Sequence, residues 1–125
     1  MGKKKPASKN NPEALKEAGN KAFINQNYPE AVKQYTLAIE ITLEKPNHVY
    51  FSNRANAYLE MNLFEECIAD CNQAISIEAS FVKPYYRKAK ALIGQSKLVE
   101  AMETLKDAIT LDPENQDYVR LMQEC

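Results

Sequence analysis

One pattern occurs three times in this chain and restricts its fold more than any other feature. Ala31-Val32-x-x-Tyr35-x-x-Ala38-Ile39-x-Ile41, Cys67-Ile68-x-x-Cys71-x-x-Ala74-Ile75-x-Ile77 and Ala101-Met102-x-x-Leu105-x-x-Ala108-Ile109-x-Leu111 place small and large residues in the same order, with a step of 36 residues and then 34. Spacings of three and four are those of one helix face. In the other half of each unit, Gly19, Ala55 and Ala89 share one small position, which lets paired helices approach closely, and Tyr28, Phe64 and Leu98 share a large apolar one. The two additional residues of the first step fall in Thr42 to Asn47, between units, where an insertion disturbs least. A fixed period near 34 residues with two helices in each unit implies copies stacked on one another, because a single copy cannot bury its apolar face.

Read in order, the chain predicts seven helices. Asn11-Pro12-Glu13 supplies a capping residue, a proline suited to the first turn and an acid at the positive end of the dipole, opening a helix that runs to about Asn25. Tyr28-Pro29-Glu30 opens the second, with Ala31, Val32, Tyr35, Ala38, Ile39 and Thr42 as its apolar stripe and Lys45-Pro46-Asn47 as its end. The third runs from about His48 to Met61, and Leu63-Phe64 begins the fourth. Pro84 falls near the start of the fifth, where its missing donor costs least. Leu98 to Leu111 forms the sixth, closed by Asp112-Pro113, and Asn115 to Cys125 the seventh.

Composition narrows the function. With 125 residues, 26% charged and 45% hydrophobic, the chain is expected to be one soluble domain with its own core. No apolar run approaches the roughly 20 residues that span a bilayer, and the first residues lack the apolar stretch of a signal peptide, so a cytoplasmic or nuclear location is expected. The net charge of −1 is uneven. With Lys3, Lys4, Lys5 and Lys9 set apart, 12 basic residues face 17 acidic ones, so the body is not expected to bind nucleic acid. The tail over 1–11 reads as flexible and basic, and Pro6 stands where N-myristoylation of Gly2 would want Ser or Thr. Cys67, Cys71 and Cys125 have no His or further Cys at metal-ligand spacing, and the first two read as small core residues. His48, the only histidine, reads as a capping or turn residue. With three glycines and no Gly-rich loop or metal motif, no cofactor and no catalysis by this chain are expected.

The fifth helix carries the candidate site. Lys83, Arg87 and Lys90 lie three and four apart on one stripe, with Tyr86, Ala89, Leu92 and Ile93 on another. An apolar side for neighbours and a cationic side left over suits an anionic ligand, although a solvated charged face would show the same spacing.

The repeats from Pro12 to Asn115 resemble tetratricopeptide repeats, with Leu15 where Trp is frequent. The resemblance implies an all-α, right-handed superhelical solenoid of three helix pairs (12–47, 48–81 and 82–115) and a capping helix over 116–125, monomeric, with the first helix of each pair on the concave side. Within that family the chain is similar to the chaperone-binding domains that hold a peptide ending Glu-Glu-Val-Asp in a carboxylate clamp of two lysines, two asparagines and an arginine. Carried over, the clamp is Lys16 and Asn20 in Leu15-Lys16-Glu17-Ala18-Gly19-Asn20, Asn53 in Ser52-Asn53-Arg54-Ala55, and Lys83 and Arg87 in Lys83-Pro84-Tyr85-Tyr86-Arg87. The implied partners are the tails of the 90- and 70-kilodalton heat-shock chaperones. Asn56 and Lys90, one turn beyond Asn53 and Arg87, are candidates for secondary peptide contacts. A terminal Asp offers two carboxylates, for which Lys and Arg provide charge-assisted hydrogen bonds and Asn neutral ones.

Tyr85-Tyr86-Arg87-Lys88-Ala89 and Gln123-Glu124-Cys125 also look like the N-terminal domain of the tetratricopeptide-containing serine/threonine phosphatases of type five, with Pro84 where Gly is usual. That resemblance implies one part of a longer protein, since these 125 residues hold no metallophosphatase motif. A repeat scaffold for an unrelated partner is the third expectation.

Overall fold

A computed structural model describes residues 11–125, so the basic residues Lys3, Lys4, Lys5 and Lys9, and with them most of the predicted tail, lie outside the described residues. Among the described residues there are seven helices and no strand: α1 Pro12–Ile24, α2 Tyr28–Glu40, α3 His48–Glu60, α4 Phe64–Ile77, α5 Lys83–Gly94, α6 Leu98–Leu111 and α7 Gln116–Glu124. Each helix packs on the next in sequence, and α1, α3 and α5 also touch one another in series. The result is a solenoid in which the odd-numbered helices form one continuous face.

The repeating small positions explain the stacking. Ala31, Cys67 and Ala101 are fully buried, as are Ala38, Ala74 and Ala108. Around them lie four successive clusters, from Leu15, Ala38, Ile39 and Tyr50 at the first helix pair to Ala89, Leu105, Ala108 and Tyr118 at the last. Cys67 and Cys71 sit in the third cluster with their sulfurs 4.0 Å apart, as core residues. Their mutual hydrogen bond and burial push the Cys71 thiol up, so it stays protonated.

The odd-numbered helices of the three pairs end in the same way. Gln26, Asn62 and Ser96 adopt left-handed backbone at φ 63°, 60° and 63°. The next residue's N–H then reaches back five positions: Asn27 to the Ala22 carbonyl at 2.8 Å, Leu63 to Tyr58 at 2.9 Å and Lys97 to Leu92 at 2.8 Å. This closure satisfies carbonyls that a helix end leaves open. At the other ends, Asn11, Asn27, Asn47 and Asn115 cap α1, α2, α3 and α7 through their side-chain oxygens.

Three expectations need correction. α2 stops at Glu40 rather than near Lys45-Pro46-Asn47. The Thr42 hydroxyl donates to the Ala38 carbonyl at 2.8 Å and Ile39 at 3.2 Å, closing the helix, and Pro46 disfavours helical backbone at Lys45. His48 is not the cap of α3: Asn47 accepts from the Val49 N–H at 2.8 Å, while the His48 ring packs edge-on against Phe81 with centroids 4.7 Å apart. Finally, Leu98 does not match Tyr28 and Phe64 in burial. Phe64 lies over Gly94 of the following helix, where any Cβ would strike its ring, whereas Leu98 is 43% exposed.

Candidate peptide-binding cleft

The face built by the odd-numbered helices holds a cleft of about 300 Å³. Asn20 of α1, Asn53 and Asn56 of α3 and Arg87 of α5 supply its polar lining, and Phe23, Ile24 and Tyr35 its apolar and phenolic lining. Residues as far apart in sequence as Asn20 and Arg87 meet here because each repeat contributes the same helix face.

Asn20 is held from two sides. Its Oδ1 accepts from the Tyr35 hydroxyl at 2.5 Å and from the Asn53 side-chain amide at 3.4 Å. Tyr35 is only 2% exposed, and its ring lies so close to Gly19 that a Cβ there would stand 2.5 Å from it. Burial pushes the Tyr35 phenol up to about 12, so it remains a donor at neutral pH.

Arg87 reaches across from α5 to α3. Its Nη1 donates to the Ser52 carbonyl at 2.8 Å and to the Ser52 hydroxyl at 2.7 Å. Among the described residues no carboxylate pairs with it. Burial therefore pushes the guanidinium down from its ordinary value. A half-buried cation balanced only by neutral oxygens is stabilised by any anion that enters the cleft.

The other predicted residues are placed differently. Lys16, one turn before Asn20, pairs with Glu13 at 2.9 Å, and Glu13 also accepts from the Tyr50 hydroxyl at 2.7 Å. Those two contacts, Tyr50 foremost, hold the Glu13 carboxyl below its usual range. Lys83 is exposed at the start of α5, one turn before Arg87. Neither lysine lines the cleft, whereas Asn56 does. Lys90 stands 5.4 Å over the Tyr86 ring and lines a second cleft of about 240 Å³ with Asp117, Arg120 and Glu124 of α7. The single cationic stripe of α5 is thus divided: Arg87 turns inward to α3, while Lys90 turns towards α7.

Tyr35 and Ser52, which orient Asn20 and Arg87, were not among the predicted site residues. Tyr35 reads in sequence as a core position, and the one signal it carries is its hydroxyl, since a buried phenol needs a partner. Ser52 falls at the repeat position of Lys16 and Tyr86 and carries no signal of its own. Among the described residues no group of His, Cys, Asp and Glu side chains could hold a metal ion, and no helix is long and apolar enough to cross a membrane.

A family model, tetratricopeptide repeat, matches residues 50–81 and 82–115, more than half of the chain. The chain belongs to the tetratricopeptide repeat family. This tetratricopeptide domain is 38% identical over 101 residues to "Heat shock protein STI1" of Saccharomyces cerevisiae, an alignment that covers 81% of this chain and 17% of that protein. It is 36% identical over 111 residues to "Serine/threonine-protein phosphatase T" of Trypanosoma brucei brucei, covering 89% of this chain and 23% of that protein. The tetratricopeptide domain therefore spans about a fifth of the length of these relatives. Among solved structures it resembles the first tetratricopeptide domain of Spaghetti (RPAP3) bound to the HSP90 peptide SRMEEVD, with a TM-score of 0.86, 32% identity and coverage of 90% of this chain and 88% of that one.

Proposed function

We propose that the cleft binds the free C-terminus of an acidic peptide, the Glu-Glu-Val-Asp tail of the 90- and 70-kilodalton heat-shock chaperones. The observation that carries this reading is Arg87, half-buried without a carboxylate beside amide-bearing Asn20, Asn53 and Asn56. A terminal Asp brings two carboxylates to that guanidinium and those amide donors, and Lys16 and Lys83 add charge one turn before Asn20 and Arg87. The likeness to a domain bound to a peptide ending in EEVD supports the same reading.

Calorimetric titration with tail heptapeptides tests it. The free acid should bind, and the C-terminal amide should bind about tenfold or more weakly, because a hydrogen bond to a charged group contributes roughly 1.5 to 3 kcal/mol. Equal affinity for acid and amide would overturn the assignment, and no binding to either tail would favour the scaffold reading.

The similarity to phosphatase T favours a second reading, in which the same module also restrains a phosphatase catalytic domain. The chain added to such a catalytic domain should then depress phosphoester hydrolysis, with relief by saturating tail peptide. Unchanged hydrolysis would remove this reading and leave the peptide site intact.

A further inference from the structure

We infer that Tyr35 is a positioning residue that fixes which end of the Asn20 amide faces the cleft, a role that rests on the peptide-binding reading above. An asparagine side chain has an accepting oxygen at one end and two N–H donors at the other. Only the donor end can hold a carboxylate. Which end faces the ligand is therefore a functional choice, and nothing within α1 makes it.

Tyr35 makes it from α2. Its hydroxyl is buried and makes its hydrogen bond to Asn20 Oδ1 at 2.5 Å. Turning the amide over would set N–H donors against the phenol proton of a side chain only 2% exposed, leaving it without this acceptor, which costs more than the bond itself contributes. The Asn53 amide, also directed at Asn20 Oδ1, adds a second donor to the same oxygen. With that oxygen engaged twice, the Asn20 N–H pair is the end left for a ligand.

The repeat itself shows that the hydroxyl is not a packing requirement. The positions equivalent to Gly19 and Tyr35 are Ala55 and Cys71 in the second repeat and Ala89 and Leu105 in the third, and all four of those residues are fully buried. The solenoid packs there with alanine against a small or aliphatic side chain. The first repeat alone has a ring so large that only glycine fits opposite it, and that ring carries a hydroxyl to the Asn20 amide.

The test is a double-mutant cycle in the intact chain, read by calorimetry with an acid-terminated tail heptapeptide. Tyr35→Phe keeps the ring against Gly19 and should weaken binding roughly tenfold, as expected for losing control of one hydrogen bond to a charged group. In an Asn20→Ala background the same substitution should change affinity by less than about twofold, because its effect passes through Asn20. The Asn20 side-chain amide resonances should also shift in ligand-free Tyr35→Phe. Equal weakening in both backgrounds would show that Tyr35 acts through the fold and overturn the inference, as would full affinity of Tyr35→Phe in the native background. If the wild-type chain binds no acid-terminated peptide, the reading of the cleft fails and this inference with it. Thermal melts of each variant separate loss of binding from loss of structure.

Discussion

Arg54 and Arg87 are both partly buried arginines on neighbouring odd-numbered helices, and their surroundings are opposite. Arg54 uses all three nitrogens: Nε and Nη2 donate to the two oxygens of Asp70 on α4 at 2.7 and 2.8 Å, and Nη1 donates to Thr36 on α2 at 3.0 Å. Its guanidinium also lies 5.9 Å from the Phe51 ring centroid and 5.7 Å from that of Tyr58. Arg87 uses one nitrogen, on the neutral oxygens of Ser52. The two titrations move accordingly: Asp70 pushes Arg54 up, and burial pushes Arg87 down. Burial also pushes the Asp70 carboxyl up, so even this pair is held against a desolvation cost that Arg54 offsets only in part. A closed pair of this kind ties three helices together, whereas an arginine left without its anion has charge and donors to spare for a ligand.

The largest expected effect separates stability from binding. Asp70→Ala leaves Arg54 buried without its partner and should lower unfolding free energy by about 3 to 5 kcal/mol, with little change in tail affinity for the folded fraction. Arg87→Met removes a cation that has no anion, so stability should change by less than about 1 kcal/mol while tail binding is lost. Denaturant titration with calorimetry reads both. The comparison breaks if the two variants show similar losses of stability.

A slightly smaller effect concerns the lysines beside Arg87. Lys83→Glu puts a carboxylate one turn from Arg87 against an acidic peptide, a juxtaposition that costs several kcal/mol, so binding should fall below detection. Lys88 occupies the repeat position of Arg54, away from the cleft. Lys88→Glu should therefore weaken binding only modestly, by a margin that shrinks as salt is raised. Equal loss in the two variants would mean that net charge rather than location governs recognition.

The smallest expected effect sharpens the account of Arg87. Ser52→Ala deletes one of its two acceptors and keeps the carbonyl, so tail affinity should drop by about 0.5 to 1.5 kcal/mol. Full affinity in this variant would show that Ser52 does not orient the guanidinium.

Much of this architecture is legible in the order of the amino acids. The small positions Ala38, Ala74 and Ala108 announce a stack through their spacing alone, and they are fully buried. Asn11 and Pro12 announce where α1 begins, because capping chemistry is local. The end of α2 is less legible, since a threonine hydroxyl turned back on its own carbonyls competes with helix propagation in a way that periodicity does not register. The threefold left-handed turn at Gln26, Asn62 and Ser96 is not legible either. Its residue types differ, and only the backbone repeats.

What the sequence by itself determined is angular and confined to each helix: that Lys83, Arg87 and Lys90 share a stripe of α5, and that Lys16 and Asn20 share one of α1. What only the tertiary structure decided is which of these charges is buried, which is paired and which amide end is presented. Helical spacing is set within a few residues by backbone geometry, the same for any helix. The partners of Arg87 and Asn20 lie 35 and 15 positions away in sequence, at Ser52 and Tyr35. They come within hydrogen-bond distance only after α3 packs on α5 and α2 on α1, and the pattern of small residues drives that packing without specifying which polar groups will meet.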